Sequence, residues 1–180
     1  AMVMQGVTPG PQVMTANPRN ADALFGYATT LAQLHRDAEA RTQLMAGMKT
    51  FPDQLIFTHG LARLLATSPD EHVRDGQRAM AIVQDLVKRG RTLELGETLA
   101  MTLAELGQYD QAAASFERSV SIRPTQAALS NLGTLYFNQG RFADAARTLE
   151  RSVQLTPNDH VVWGNLGASY RRVPDEPKAR

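Results

Sequence analysis

Cysteine is absent from the 180 residues. That removes disulfides, thiolate catalysis and cysteine-ligated zinc, and it leaves the compartment undecided, with cytoplasm favoured over periplasm. Charge of one sign is also scarce: 19 basic residues face 18 acidic ones, for a net charge of +1. No field therefore draws nucleic acid or anionic lipid, and neither partner is expected. No apolar run approaches the roughly 18–20 residues that span a bilayer, so membrane insertion is not expected, and no secretory hydrophobic segment is present. Ala1 ahead of Met2 reads as a cloning remnant, and the chain as a segment of a larger protein.

Reactive constellations are missing too. His35, His59, His72 and His160 form no i, i+4 pair of the kind a zinc site uses. No Gly-x-Ser-x-Gly, phosphate loop or dinucleotide fingerprint occurs. Gly6-Val7-Thr8-Pro9-Gly10-Pro11 precedes no strand and reads as linker. Glu94 and Glu97 share a helix face without a buried companion and read as solvated. No enzyme activity, cofactor or metal is expected.

What the chain does contain is a period. Trp163-x-x-Leu166-Gly167-x-x-Tyr170 is echoed 34 residues earlier by Leu129-x-x-Leu132-Gly133-x-x-Tyr136. Pro124 and Pro157 stand 33 apart, as do Gly107 and Gly140, and Pro18 and Pro52 stand 34 apart. Self-similarity at this spacing marks stacked helix hairpins. The prolines are placed at helix starts, where their missing N–H is not needed, with Thr156 capping ahead of Pro157. Gly107 and Gly140 suit the left-handed residue that ends a first helix.

The clearest unit is 126–159. Leu129, Leu132, Gly133 and Tyr136 make one stripe at steps of three and four, and Phe142, Ala145, Ala146, Leu149 and Val153 make the next. Small Gly133 and Ala145 allow close backbones. Unit 93–125 repeats this with Leu99, Ala100, Leu103, Tyr109, Ala112, Phe116 and Val120. In unit 21–54, Leu24, Tyr27, Ala28 and Leu31 face Ala40, Leu44 and Met48, with His35 in place of the turn glycine. Unit 55–92 has Leu61, Ala62 and Leu65, then a stretched turn in which Ser68 and Glu71 read as a capping box. Residues 160–172 are a partial unit. Residues 1–20 read as linker or the tail of an earlier repeat, and 173–180 as the truncated start of a further helix. An array needs polar ends, because each unit hides its apolar face on a neighbour. Open ends at Trp163, Leu166 and Tyr170 would favour self-association.

Over residues 21–172 the pattern resembles the tetratricopeptide repeat family, with the last three units carrying the resemblance best. The resemblance implies an all-α, right-handed α-solenoid of stacked antiparallel helix pairs, whose first helices line a concave groove. It also implies binding of a protein or extended peptide, since asparagines just before the Leu-Gly pair hold ligand backbones in such proteins. Asn131 and Asn165 occupy that place, and Thr134, Phe137 and Asn138 would add groove contacts. An asparagine amide donates and accepts together, matching a peptide group; the competing reading is a wet polar stripe. Gly26, Gly60 and Thr98 stand at the equivalent positions and cannot continue the ladder.

The family's clamp for acidic chaperone tails is not supported, because Glu94, Glu97, Glu105, Ser130 and Asn131 stand where its basic residues belong. Arg171 and Arg172 would pair a ligand carboxylate at the last helix; His59 and Arg63, one turn apart, would meet an acidic group, unless both faces are simply solvated. Trp163 reads as helix packing. The expected function is a protein–protein interaction scaffold without catalysis. Two alternatives are a regulatory or substrate-docking module of a larger bacterial enzyme or signalling protein, and a self-assembly scaffold.

Overall fold

The computed structural model describes residues 21–90 and 92–173, with Leu93 described by its backbone. The expected linker at 1–20, Pro18 within it, and residues 174–180 of the expected further helix lie outside them. Among the described residues there are nine α-helices and no strand. They divide into two compact units, one up to Arg89 and one from Gly90.

The first unit holds α1 (Ala21–Gln33), α2 (Asp37–Thr50), α3 (Leu55–Thr67) and α4 (Gly76–Arg89). Each helix packs on the next, and α1 also reaches α3. Leu24, Ala28 and Leu31 of α1 face Ala40 and Leu44 of α2, all buried. Phe57 of α3 anchors this unit, although no apolar stripe in the sequence pointed to it. It is fully buried, edge-to-face with Phe25 at 5.9 Å and stacked on Phe51 at 5.8 Å. It reaches that position because α2 has no side chain opposite: a Cβ on Gly47 would lie 2.1 Å from the Phe57 ring.

The turn between α1 and α2 is made by His35 at φ 56°, the left-handed position that glycine holds elsewhere. The stretched connector after α3 is a packed loop. Val73 is buried, Ser68 donates to Asp37, and the Ser68 hydroxyl accepts from the Asp70 N–H at 3.1 Å. The expected capping box is corrected here. Ser68 ends α3, and α4 is capped by Asp75, whose carboxylate accepts from the Arg78 N–H at 2.9 Å.

The second unit holds α5 (Leu93–Glu105), α6 (Tyr109–Ile122), α7 (Gln126–Asn138), α8 (Phe142–Leu155) and α9 (His160–Arg172), each packed on the next. Gly107 and Gly140, both at φ 74°, close α5 and α7. The first helices share a side-chain cap. Thr92 accepts from the Leu95 N–H at 3.1 Å and Thr125 from the Ala128 N–H at 3.1 Å, while Asp159 accepts from Val161 at 3.0 Å and Val162 at 3.2 Å.

Proline therefore does not open these helices as expected. Pro52 and Pro157 take the second position of β-turns closed by Gln54 N–H to Phe51 O (3.0 Å) and Asp159 N–H to Thr156 O (3.3 Å). A fixed φ near −65° suits that position, and it leaves the capping to Asp159 in place of Thr156. The free oxygen of Asp159 accepts from the Gln126 side chain at 2.8 Å, and the Gln126 carbonyl accepts from Ser152 at 3.2 Å. These contacts tie the start of α9 to the starts and ends of its neighbours.

Leu129, Leu132, Gly133 and Tyr136 are buried as one stripe against Ala145, Ala146, Leu149 and Val153. Tyr109, expected in the stripe of α6, is instead 46% exposed at the first position of its helix. A Cβ on Gly133 would stand 2.6 Å from Leu149 Cγ, and Leu149 is fully buried.

Overpacking of this kind costs about 1–3 kcal/mol. Gly133→Ala is expected to lose that much in urea denaturation. Gly164→Ala, where a Cβ meets nothing within 4 Å, is expected to hold or gain up to ~1 kcal/mol. Equal losses in the two variants would refute the close approach. His35→Gly is expected to gain about 0.5–1 kcal/mol by relieving its left-handed backbone; a lower thermal midpoint would show that the imidazole contributes more than the strain.

Candidate functional site

The helix caps give the first helices of the second unit a common register. Asn131 and Asn165 each stand six residues beyond their caps, Thr125 and Asp159. Each side chain reaches back to the residue nine beyond the cap of the preceding first helix. Asn165 donates to the Thr134 hydroxyl at 3.4 Å, and the Asn131 amide nitrogen lies 4.0 Å from the Met101 sulfur. Both asparagines are half-buried and turned along the helix faces that the second helices leave uncovered.

Thr134, Phe137, Asn138 and Asn165, together with Ala168, line a recess of about 190 Å³ between α7 and α9. Four of the residues singled out in the sequence are thus brought together. Asn131, earlier on α7, does not line this recess. Ala168 was missed, because a lone alanine carries no chemical signal. Phe137 meets Phe142 edge-to-face at 5.2 Å, and the Arg172 guanidinium lies 5.7 Å from the Phe142 ring centre. Arg172 is therefore near the recess without lining it. Arg171 runs over Gly167 of its own helix, its Nη1 3.6 Å from where a Cβ would be.

Arg63 and His59 lie in the first unit. Arg63 is exposed at the rim of a cavity of about 520 Å³ between α1 and α3, floored by Ala28, Leu44 and Leu64. His59 is half-buried one turn earlier and does not line it. Gly60, at the asparagine position, does. Among the described residues no three His, Asp or Glu side chains are grouped to hold a metal ion, and no helix is long and apolar enough to cross a membrane.

First helices also meet the preceding second helices through tyrosine–glutamate hydrogen bonds. Tyr136 of α7 donates to Glu117 of α6, and Tyr170 of α9 donates to Glu150 of α8. Burial, then the hydrogen bond and charge of Glu117, push the Tyr136 phenol up to about 12. Arg141 covers the same ring at 4.1 Å from its centre. Its hydrogen bond to Asp144, with that of Arg147, holds the Asp144 carboxyl below the usual range. Trp163 is 49% exposed, its indole N–H donating to the Pro157 carbonyl at 2.7 Å, so it packs on the turn and not between helices as the sequence suggested.

An all-α array of helix hairpins whose first helices share one register defines an α-solenoid of the interaction-repeat class. Residues 97–160 match the family model described as tetratricopeptide repeat. No curated protein matches the sequence. Among solved structures, the chain is similar to a thermophilic TPR protein of Thermus thermophilus, with a TM-score of 0.75 and 20% identity over 89% of this chain and 86% of that one. It is also similar to a chain of the APC/C hetero-tetramer Cut9-Hcn1 (TM-score 0.70, 18% identity, 89% of this chain and 32% of that one). A third is YrrB, described as a TPR protein with an unusual peptide-binding site (TM-score 0.54, 15% identity, 92% and 84%). The tetratricopeptide repeat match thus covers residues 97–160, and the solved structures share the helical repeat fold over most of the chain.

The raised Tyr136 value carries a sign. A phenol whose folded pKa lies above its ordinary 10.0 contributes stability that is complete below that pH and is lost as pH rises through about 12. Wild type is expected to lose more stability than Tyr136→Phe between about pH 9 and 12. Urea midpoints at several pH values read this directly, and parallel losses would place the effect elsewhere.

Proposed function

We propose that this protein is a non-catalytic scaffold that holds an extended peptide or protein segment on the open faces of its first helices. The observation that carries the reading is the convergence of Asn165, Thr134, Phe137 and Asn138 on one recess. An amide, a hydroxyl and an aromatic ring side by side supply both halves of a main-chain hydrogen bond and a surface for one ligand side chain. Asn131 offers a second amide on the preceding first helix, in the same register. Recognition by a preformed helical face requires no reaction centre. The peptide-binding site ascribed to YrrB supports this use of the fold. Arg172, beside Phe142, supplies positive charge near the recess, and Arg63 with His59 supplies it in the first unit.

A second reading, self-association through the last helix, is favoured by the exposure of Val161, Trp163 and Tyr170 on α9. Sedimentation across a concentration series separates it from a peptide-binding monomer.

The Asn131→Ala, Asn165→Ala double variant is expected to weaken binding of a peptide mapped from co-purified partners. Two hydrogen bonds at about 0.5–1.5 kcal/mol each correspond to roughly 5- to 150-fold. Isothermal titration with wild type and variant measures this, with urea melts confirming the fold. Unchanged affinity would remove the asparagines from the binding surface.

A further inference from the structure

The two recesses are the same site in two states of filling. Aligned at their first residues, α1 matches α7 and α3 matches α9. Thr29 then corresponds to Thr134, Ala32 to Phe137, Gln33 to Asn138, Gly60 to Asn165 and Arg63 to Ala168, and all ten residues line their respective recesses. In the first unit the ring and the amide are replaced by a methyl and a hydrogen. The volume is about 520 Å³ in place of about 190 Å³. Ligand pockets typically run about 300–1,000 Å³, so only the first unit's recess is of the size that takes in a bulky group.

Its openness is built in. A Cβ on Gly60 would stand 2.9 Å from Phe25 Cε2 and 3.0 Å from Leu44 Cδ2, so a side chain there would have to displace the ends of both. Ala28, Leu44 and Leu64 make that floor apolar, while Thr29, Gln33 and Thr67 make the rest of the rim neutral. Arg63 is the single charged residue lining it, and among the described residues its guanidinium has no ion-pair partner. Of the acids on α2, Asp37 accepts from Ser68 and Glu39 pairs with Arg36.

We propose that the recess between α1 and α3 is a selectivity pocket for a peptide that presents a large aromatic side chain followed by a glutamate, the ring on the apolar floor and the carboxylate on Arg63. The proposal rests on the reading of the first-helix faces as the binding surface, and it assigns to the first unit the choice of side chain that the filled recess of the second unit cannot make. A guanidinium fork matches a carboxylate in two parallel hydrogen bonds. An exposed pair of this kind discriminates only modestly, so the ring supplies most of the affinity.

The test uses the full chain, isotopically labelled, titrated with N-acetyl-Phe-Glu-amide, N-acetyl-Phe-Gln-amide and N-acetyl-Gly-Glu-amide. Amide shifts are expected at Thr29, Gly60 and Thr67 with the first probe. Binding should be about two- to fivefold weaker with the second and absent with the third. Ala32→Phe, which installs the ring found at Phe137, should abolish the shifts. Arg63→Ala should make the first two probes bind equally. Dispersed amide spectra confirm that each variant is folded. Shifts confined to Phe137 and Asn165, binding that survives Ala32→Phe, or no shift up to the solubility limit of the first probe would each overturn the pocket. Loss of affinity in the asparagine double variant is read separately, so the pocket and the wider groove reading fail independently.

Discussion

Everything in each unit depends on how near two helix backbones come. On α7 the missing side chain of Gly133 admits Leu149 of α8, and on α2 the missing side chain of Gly47 admits the ring of Phe57 of α3. In both places one helix offers a notch and its neighbour fills it with a large, fully buried group. Dispersion falls off steeply with separation, so the notch sets the spacing that the surrounding leucines and alanines then exploit. A hairpin held this way buries one stripe of its first helix and leaves the opposite face bare. That bare face is where the asparagines, the aromatic ring and Arg63 are found.

The face is therefore a by-product of packing whose detail is set by few residues. In the second unit, successive first helices run in one register, each beginning at a side-chain cap. Residue six beyond one cap then falls beside residue nine beyond the previous one, which brings Asn165 to Thr134 and Asn131 to Met101. The identity of that pair decides whether the groove is lined by hydrogen-bonding groups or opened. The second unit spends its volume on Phe137 and Asn165; the first leaves it vacant at Ala32 and Gly60.

Much of this was legible in the sequence. Apolar residues at steps of three and four located the helices, and the left-handed turns at Gly107 and Gly140 could be read from glycine alone. His35 was legible too, because the period placed it where glycine recurs. The caps were not. Thr156 and Asp159 are both capping types, and only the turn around Pro157 decides between them. Phe57 was invisible because its partner is an absence on another helix. The recesses were beyond reach for a related reason: their lining comes from residues nearly thirty positions apart, such as Ala32 and Gly60, whose smallness carries meaning only once two helices are set side by side.

Asp159 shows what sharing a group between levels of structure entails. One oxygen holds the opening N–H groups of α9, and the other holds the side chain of Gln126, whose carbonyl is in turn held by Ser152. Winding the first turn of α9 and seating that helix beside α7 are consequently one event and not two. Whatever disturbs Asp159 therefore reaches both the first turn of α9 and its contact with α7.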